Sequence, residues 1–385
     1  MREKKKLLRI TTVPISLKIL LQDQLHFMNQ HFEVVGVSSA GDELKEVEQK
    51  EGIRVVELEM SREITPLQDF LSLIKMFFLL LRERPDIVHT HTPKAGIIGM
   101  LGAWVTRVPY RLHTVAGLPV MEATGKKKTL LLFIEKLTYL AATHVYPNSY
   151  GLEKYILQER LIQKSKLKVI GHGSSNGIDT DYFSRTEQVV KEAKELLKEY
   201  HLEESFVFCF VGRVVKDKGI NELLYAFDKL SYKYNSVKLF IVGGFEEKLD
   251  PISDASKSIL ENNTSLFHVG FQNDIRPFLA ASDFFVLPTY REGFPNVVLQ
   301  ASAMGLASIV TNINGCNEII THNHNGLLVE PKEKEELFEA MQSVVEDQDL
   351  AKKLSLNSRS DIMQKYDRKV FHNYLFDEYK RILDA

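Results

Sequence analysis

Cysteine is nearly absent from this sequence, with two in 385 residues. Cys209 lies inside the apolar run Phe206-Val-Phe-Cys-Phe-Val211, and Cys316 lies in a Gly/Asn-rich loop. Neither a disulfide framework nor a metal-ligand spacing is visible, which suits a reducing compartment. An excess of one charge is also missing: 49 Lys and Arg stand against 51 Asp and Glu, for a net charge of -2. A protein that tracks nucleic-acid phosphates needs a clear basic excess, so nucleic acid is excluded as a partner. Long hydrophobic runs are lacking as well. The most apolar stretch, Pro66 to Leu81, is interrupted by Gln68, Asp69 and Lys75 and ends in Arg82-Glu83-Arg84. Spanning a bilayer takes about 20 mostly apolar residues, so this stretch reads as a buried or interfacial helix. The charged start runs straight into Leu7-Leu8-Arg9-Ile10, without a secretory pattern. A cytoplasmic location is expected, and a peripheral seat on the inner membrane face is compatible with it. Internal repeats and low-complexity tracts are absent.

What is present is the composition of a globular protein, 44% hydrophobic and 26% charged, with length for two domains of about 150–200 residues each. Short β-rich runs alternate with longer helical stretches from end to end. Strands are expected at 7–13, 32–38, 53–58, 86–91, 110–115 and 143–147, with helices at 66–84, 94–106 and 128–141 between them. The strands are continuous apolar runs, as a parallel sheet covered on both faces requires. After Gly171-His-Gly-Ser-Ser-Asn-Gly177 the alternation restarts. A helix at 187–200 leads to strands at 206–212, 237–243, 265–270, 283–288 and 307–311, with helices at 219–234 and 296–304. The expected class is α/β, two doubly wound Rossmann-like domains. They are placed at 1–175 and 176–365, with an amphipathic terminal helix at 366–385 packing back on the first. A ligand is expected in a cleft between them, at the carboxyl ends of the strands.

Two segments of the second domain can carry chemistry. Val211-Gly212-Arg213-Val-Val-Lys216-Asp-Lys218-Gly219 follows a buried strand and opens a helix. Backbone N–H groups and two cations there can converge on a diphosphate; a surface turn with solvated charges is the competing reading. Pro288-Thr-Tyr-Arg-Glu292-Gly293-Phe294-Pro295-Asn296 delivers a carboxylate and a glycine just ahead of a helix. Glu292 can accept hydrogen bonds from sugar hydroxyls, and Gln300 lies one turn beyond Asn296 on the same helix face. Read alone, an acid before a helix is usually a cap with no further role.

Together, the Gly-Arg-x-x-x-x-Lys-Gly element and the Glu-Gly-Phe-Pro element with a polar residue eight positions after the Glu resemble the second domain of glycosyltransferase family 4, retaining transferases of GT-B architecture. In the first domain, His89-Thr-His91-Thr-Pro93-Lys94-Ala-Gly96 and Leu112-His113-Thr114-Val-Ala-Gly117-Leu-Pro119 are similar to a bacterial subgroup that builds capsule, O-antigen or lipid-linked glycans. The resemblance spans essentially the whole chain. It implies that Arg213 and Lys218 bind the donor diphosphate. Glu292 would hold the donor sugar, helped by backbone groups of Gly293, Phe294, Pro295 and Asn296. His113 matches the histidine near the transferred sugar. It further implies a nucleotide-sugar donor (UDP-sugar before GDP-sugar), no metal or other cofactor, and a lipid-linked saccharide as acceptor. Two departures stand out. Gln300 occupies the place of a second glutamate that bonds the ribose hydroxyls, and Pro14 stiffens a first loop where a Gly-Gly pair is usual.

Several other residues could mislead. Asp179-Thr-Asp181 has the spelling of a metal-binding Asp-x-Asp but sits in the linker, so it is read as structural. His89 and His91 share a strand face without a third ligand nearby, and read as a packed or hydrogen-bonded pair. Lys126 to Lys128, beside Leu130-Leu131-Leu132-Phe133, form with the 66–84 helix a candidate patch for anionic lipid, or simply a solvated end of an amphipathic helix. The functional alternatives are a sugar-nucleotide 2-epimerase and an inactive nucleotide-binding partner in a glycan-assembly complex.

Overall fold

A computed structural model describes residues 4–384 apart from 62, 64, 122 and 247–249. The chain divides into two compact units, one comprising residues through Asn176 together with those from Lys369 onward, the other Gly177–Arg368.

Unit 1 is built on six parallel strands: β1 (Lys6–Ile10), β2 (Glu33–Ser38), β3 (Arg54–Glu57), β4 (Ile87–His91), β5 (Tyr110–Val115) and β6 (His144–Pro147). Their spatial order is β3-β2-β1-β4-β5-β6. Side chains alternate between the two faces: along β1, Leu7 enters one buried cluster while Leu8 and Ile10 enter another. Phe371, Leu375, Tyr379 and Ile382 of the terminal Arg368–Leu383 helix complete the cluster on the Leu7 side.

β1 ends at Ile10, three residues short of the expected strand. Pro14 is not a loop stiffener: it opens the Pro14–Leu20 helix, where its missing N–H costs nothing and its fixed φ is already helical. The apolar 66–81 stretch forms the Pro66–Glu83 helix. Met76 and Leu80 are buried, while Leu67, Phe70, Leu71 and Phe78 on the same helix are exposed. Among the described residues no helix is long and apolar enough to cross a membrane.

Unit 2 repeats the plan with β7 (Phe206–Val211), β8 (Val237–Val242), β9 (Leu266–Gly270), β10 (Phe284–Leu287), β11 (Ala307–Thr311) and β12 (Gly326–Val329). The order is β12-β11-β10-β7-β8-β9, again all parallel. In both sheets the chain reverses its direction of winding beside the first strand, between β1 and β4 and between β7 and β10. Loops at the carboxyl ends of such a pair diverge and leave a crevice, which is where doubly wound sheets take ligands.

Candidate functional site

In unit 2 the loops after β7 and β10 are tied together at that reversal point. The Tyr290 N–H donates to the Asp217 carbonyl (2.8 Å), and the Thr289 hydroxyl donates to the same oxygen (3.3 Å). The Asp217 carboxylate pairs with Arg291 (2.7 Å). Gly219 is required for this junction: its φ is +70°, and a Cβ there would lie 1.9 Å from the Pro288 carbonyl oxygen. Lys218, just before it, reaches across and places Nζ 2.5 Å from Oε1 of Glu292; both side chains are largely buried, 18% and 15% exposed. Two residues that the sequence separates by seventy-four positions thus share one location. Arg213, leaving the end of β7, is half-exposed and pairs through Nη1 with Glu246 (2.7 Å).

Beyond Glu292 the chain is held from the far side by Asn314, whose amide donates to the carbonyls of Glu292 (3.0 Å) and Gly293 (2.9 Å). Phe294 is buried with its ring 5.5 Å from that of Tyr366. Pro295 is buried too and caps the Asn296–Ala303 helix, with no side chain bonding its first turn. At Phe294 and Pro295 only the backbone is therefore on offer, while Asn296 is exposed and Gln300 half-buried one turn later. Asn314 and Asp217 were not legible as site residues: each supports the loops by contacts that only the folded chain makes.

His113 lies within β5 in unit 1, two residues before the end of the strand rather than at it, and is 2% exposed. Its Nδ1 is 2.8 Å from the Thr90 hydroxyl, and its ring fills the space a side chain at Gly96 would need, since a Cβ there would stand 2.6 Å from Cε1. Burial pushes its pKa down to about 4, so the imidazole is neutral near pH 7 and can exchange hydrogen bonds but not supply charge. The His89 and His91 rings stack at 4.7 Å. His89 Nδ1 meets the Tyr379 hydroxyl (2.6 Å), and His91 Nε2 meets Arg9 (2.6 Å). Arg9 is fully buried, its other partners being Tyr379 (3.0 Å) and Gln24 (2.6 Å). The Asp179 carboxylate turns on its own loop, accepting from the N–H groups of Asp181 (3.1 Å) and Tyr182 (2.8 Å). Among the described residues no group of three His, Cys, Asp or Glu side chains is placed to hold a metal ion.

Two family models match the chain: "Glycosyl transferases group 1" over residues 191–361 and "Glycosyl transferase 4-like domain" over 25–173. Over 98% of its length the chain is 32% identical to the capsular polysaccharide biosynthesis glycosyltransferase CapM of Staphylococcus aureus, covering 97% of that protein. The chain belongs to this family of glycosyltransferases. The glycosyltransferase is also 32% identical, over 79% of its length and 77% of the relative's, to the Escherichia coli UDP-Gal:alpha-D-GlcNAc-diphosphoundecaprenol alpha-1,3-galactosyltransferase. It shares 30% identity with the Campylobacter jejuni N,N'-diacetylbacillosaminyl-diphospho-undecaprenol alpha-1,3-N-acetylgalactosaminyltransferase, over 86% of this chain and 87% of that one. In fold it resembles Anabaena HepE, crystallised with UDP, with a TM-score of 0.81 at 18% identity, covering 98% of this chain and 100% of that one. A glycosyltransferase from Rickettsia africae gives a TM-score of 0.80 at 20% identity, with 99% of each chain covered. The glycosyltransferase has the GT-B fold.

Proposed function

We propose that this glycosyltransferase moves a hexose or N-acetylhexosamine from a UDP-sugar to a polyprenyl-diphosphate-linked saccharide, with retention of anomeric configuration, in surface polysaccharide assembly. The observation that carries the donor half is the Lys218–Glu292 pair at the carboxyl ends of β7 and β10. It joins a cation suited to a diphosphate and an acid suited to sugar hydroxyls. Arg213 stands at the start of the loop that carries Lys218, and its pairing with Glu246 is half-exposed and salt-screened, hence cheap to exchange for a phosphate.

The donor diphosphate takes over Lys218 and Arg213. As the bond to the sugar breaks, negative charge grows on the departing phosphate, and two fixed cations stabilise that charge more than they stabilise the ground state. Glu292, released from Lys218, accepts hydrogen bonds from the sugar hydroxyls and holds the ring in register. Backbone groups of Gly293 to Asn296 complete the sugar site, and Gln300 bonds the ribose. Neutral His113 hydrogen-bonds near the transferred sugar. The acceptor assignment rests on the two relatives whose names specify a diphospho-undecaprenol acceptor. The reaction takes place at the cytoplasmic face of the membrane.

The test is a transfer screen of UDP- and GDP-sugars with a membrane lipid extract, read by mass spectrometry. The expected result is a lipid-linked product heavier by one hexose or N-acetylhexosamine, from a UDP-sugar. Donor turnover without any acceptor would replace the proposal with an epimerase reading.

A further inference from the structure

Unit 1 contains a cavity of about 890 Å³ among the Pro66–Glu83, Pro93–Val105 and Gly125–Ala141 helices, within the roughly 300–1,000 Å³ usual for ligand sites. Its wall is chiefly hydrocarbon, contributed by Phe70, Leu73, Ile97, Leu101, Leu131 and Ile134. The charged side chains in it are largely accounted for. Lys94 and Asp69 neutralise each other in a 2.5 Å pair, and burial pushes the Glu135 carboxyl up to about 7. A saccharide would find few hydrogen-bonding partners along such a wall, and burying its hydroxyls unpaired would be costly.

The apolar surface does not end at the cavity. Phe70 belongs both to the wall and to an exposed row with Leu67, Leu71 and Phe78 on the same helix; Leu130 and Phe133 of the Gly125–Ala141 helix are exposed as well. Contiguous exposed apolar surface of this kind marks a binding or membrane-facing region. The polar part of the lining lies elsewhere: Thr12, Ser16 and Thr92 sit just beyond the carboxyl ends of β1 and β4, with the Thr12 and Thr92 hydroxyls 2.7 Å apart. The lining thus joins hydrocarbon, continuous with an exposed apolar face, to a polar end at the sheet's reversal point. Exposed Lys127 adds a cation to it.

We propose that this cavity binds the hydrocarbon chain of the lipid-phosphate acceptor, with the phosphate end toward Thr12, Thr92 and Lys127. The inference rests on the reading of the acceptor as lipid-linked and adds where its chain is held. Occupancy removes the chain from water, so each methylene that enters adds about 0.8 kcal/mol, about a fourfold gain in affinity.

The experiment is calorimetry on the full chain with octyl, decyl and dodecyl phosphate below their micelle concentrations, and with inorganic phosphate. Affinity is expected to climb by up to about fourfold per methylene, with inorganic phosphate binding far more weakly. Ile97→Trp and Leu131→Trp fill the cavity and should weaken dodecyl phosphate by at least tenfold while UDP affinity stays unchanged. Phe78→Ser, outside the cavity, should leave alkyl phosphate binding as it was. Equal dodecyl phosphate affinity in a cavity-filled variant with wild-type melting behaviour would overturn the proposal. So would a chain-length-independent affinity in the wild type. If alkyl phosphates bind as described but no lipid extract ever accepts a sugar, the cavity assignment stands and the transferase acceptor reading fails. Transfer to a lipid without chain binding does the reverse.

Discussion

Glu135 gives the most quantitative test of how unit 1 is built. Its carboxyl is 6% exposed, and burial raises its pKa from the ordinary 4.5 to about 7, against a smaller opposing pull from the Tyr139 hydroxyl. Between those two values the folded chain holds a proton that the unfolded chain has released, so stability falls as pH rises through the interval. At about 1.36 kcal/mol per unit of pKa, the change amounts to about 3 kcal/mol once pH exceeds 7. Glu135→Gln removes it. The difference in unfolding free energy, variant minus wild type, should be flat below about pH 4.5, rise through pH 5 to 7, and level off about 3 kcal/mol higher. Taking the difference matters because His113 and the His89–His91 pair titrate with the opposite sign. Their pKa values are lowered by burial, so their contribution to stability grows as pH rises toward 6.5. The assay is urea unfolding followed by tryptophan fluorescence. The single tryptophan, Trp104, belongs to unit 1, so the signal reports that unit. A difference curve that stays level from pH 5 to 8 would refute the account of Glu135 as a buried, reluctantly ionised acid.

Gln300→Glu should tighten UDP binding by about tenfold, since a charged acceptor strengthens a hydrogen bond by roughly 1–1.5 kcal/mol; unchanged affinity by calorimetry rejects the ribose assignment. Glu292→Gln should lower the transfer rate by about 100-fold, in the range for losing one group that acts in the transition state. The same substitution should leave UDP affinity equal or higher, because Lys218 no longer has a competing carboxylate. Lys218→Met should instead weaken UDP itself, and equal UDP affinity in that variant would remove the lysine from the diphosphate site. Tyr379→Phe takes a hydroxyl from both Arg9 and His89 and should cost unit 1 about 1–3 kcal/mol, read by the same Trp104 fluorescence.

The strands at the centre of the second sheet were legible because they are runs of apolar residues buried on both faces, whereas β3, Arg54–Glu57, is only partly buried. Phe206-Val-Phe-Cys-Phe-Val211 became β7 with its interior fully buried, and Phe284-Phe-Val-Leu287 became β10. β12 was not among the expected strands: Gly326-Leu-Leu-Val329 has only three apolar residues after a glycine, too short a run to establish a period. Pro14 was misplaced by a local ambiguity, as a proline after a strand suits a loop and a helix start equally. The apolar stretch at 66–81 read correctly as a helix, yet its composition does not state which way the apolar side chains face.

The sequence by itself determined that this protein is two doubly wound α/β halves, because strand and helix periodicities are properties of neighbouring residues. It also marked Arg213, Lys218 and Glu292 by their places in two recurring motifs. That Lys218 meets Glu292, that Arg9 is sealed under Tyr379, and that three helices leave an apolar cavity between them was decided only by tertiary structure. Those facts depend on contacts across tens to hundreds of residues, and their geometry follows from how whole elements pack rather than from any local pattern.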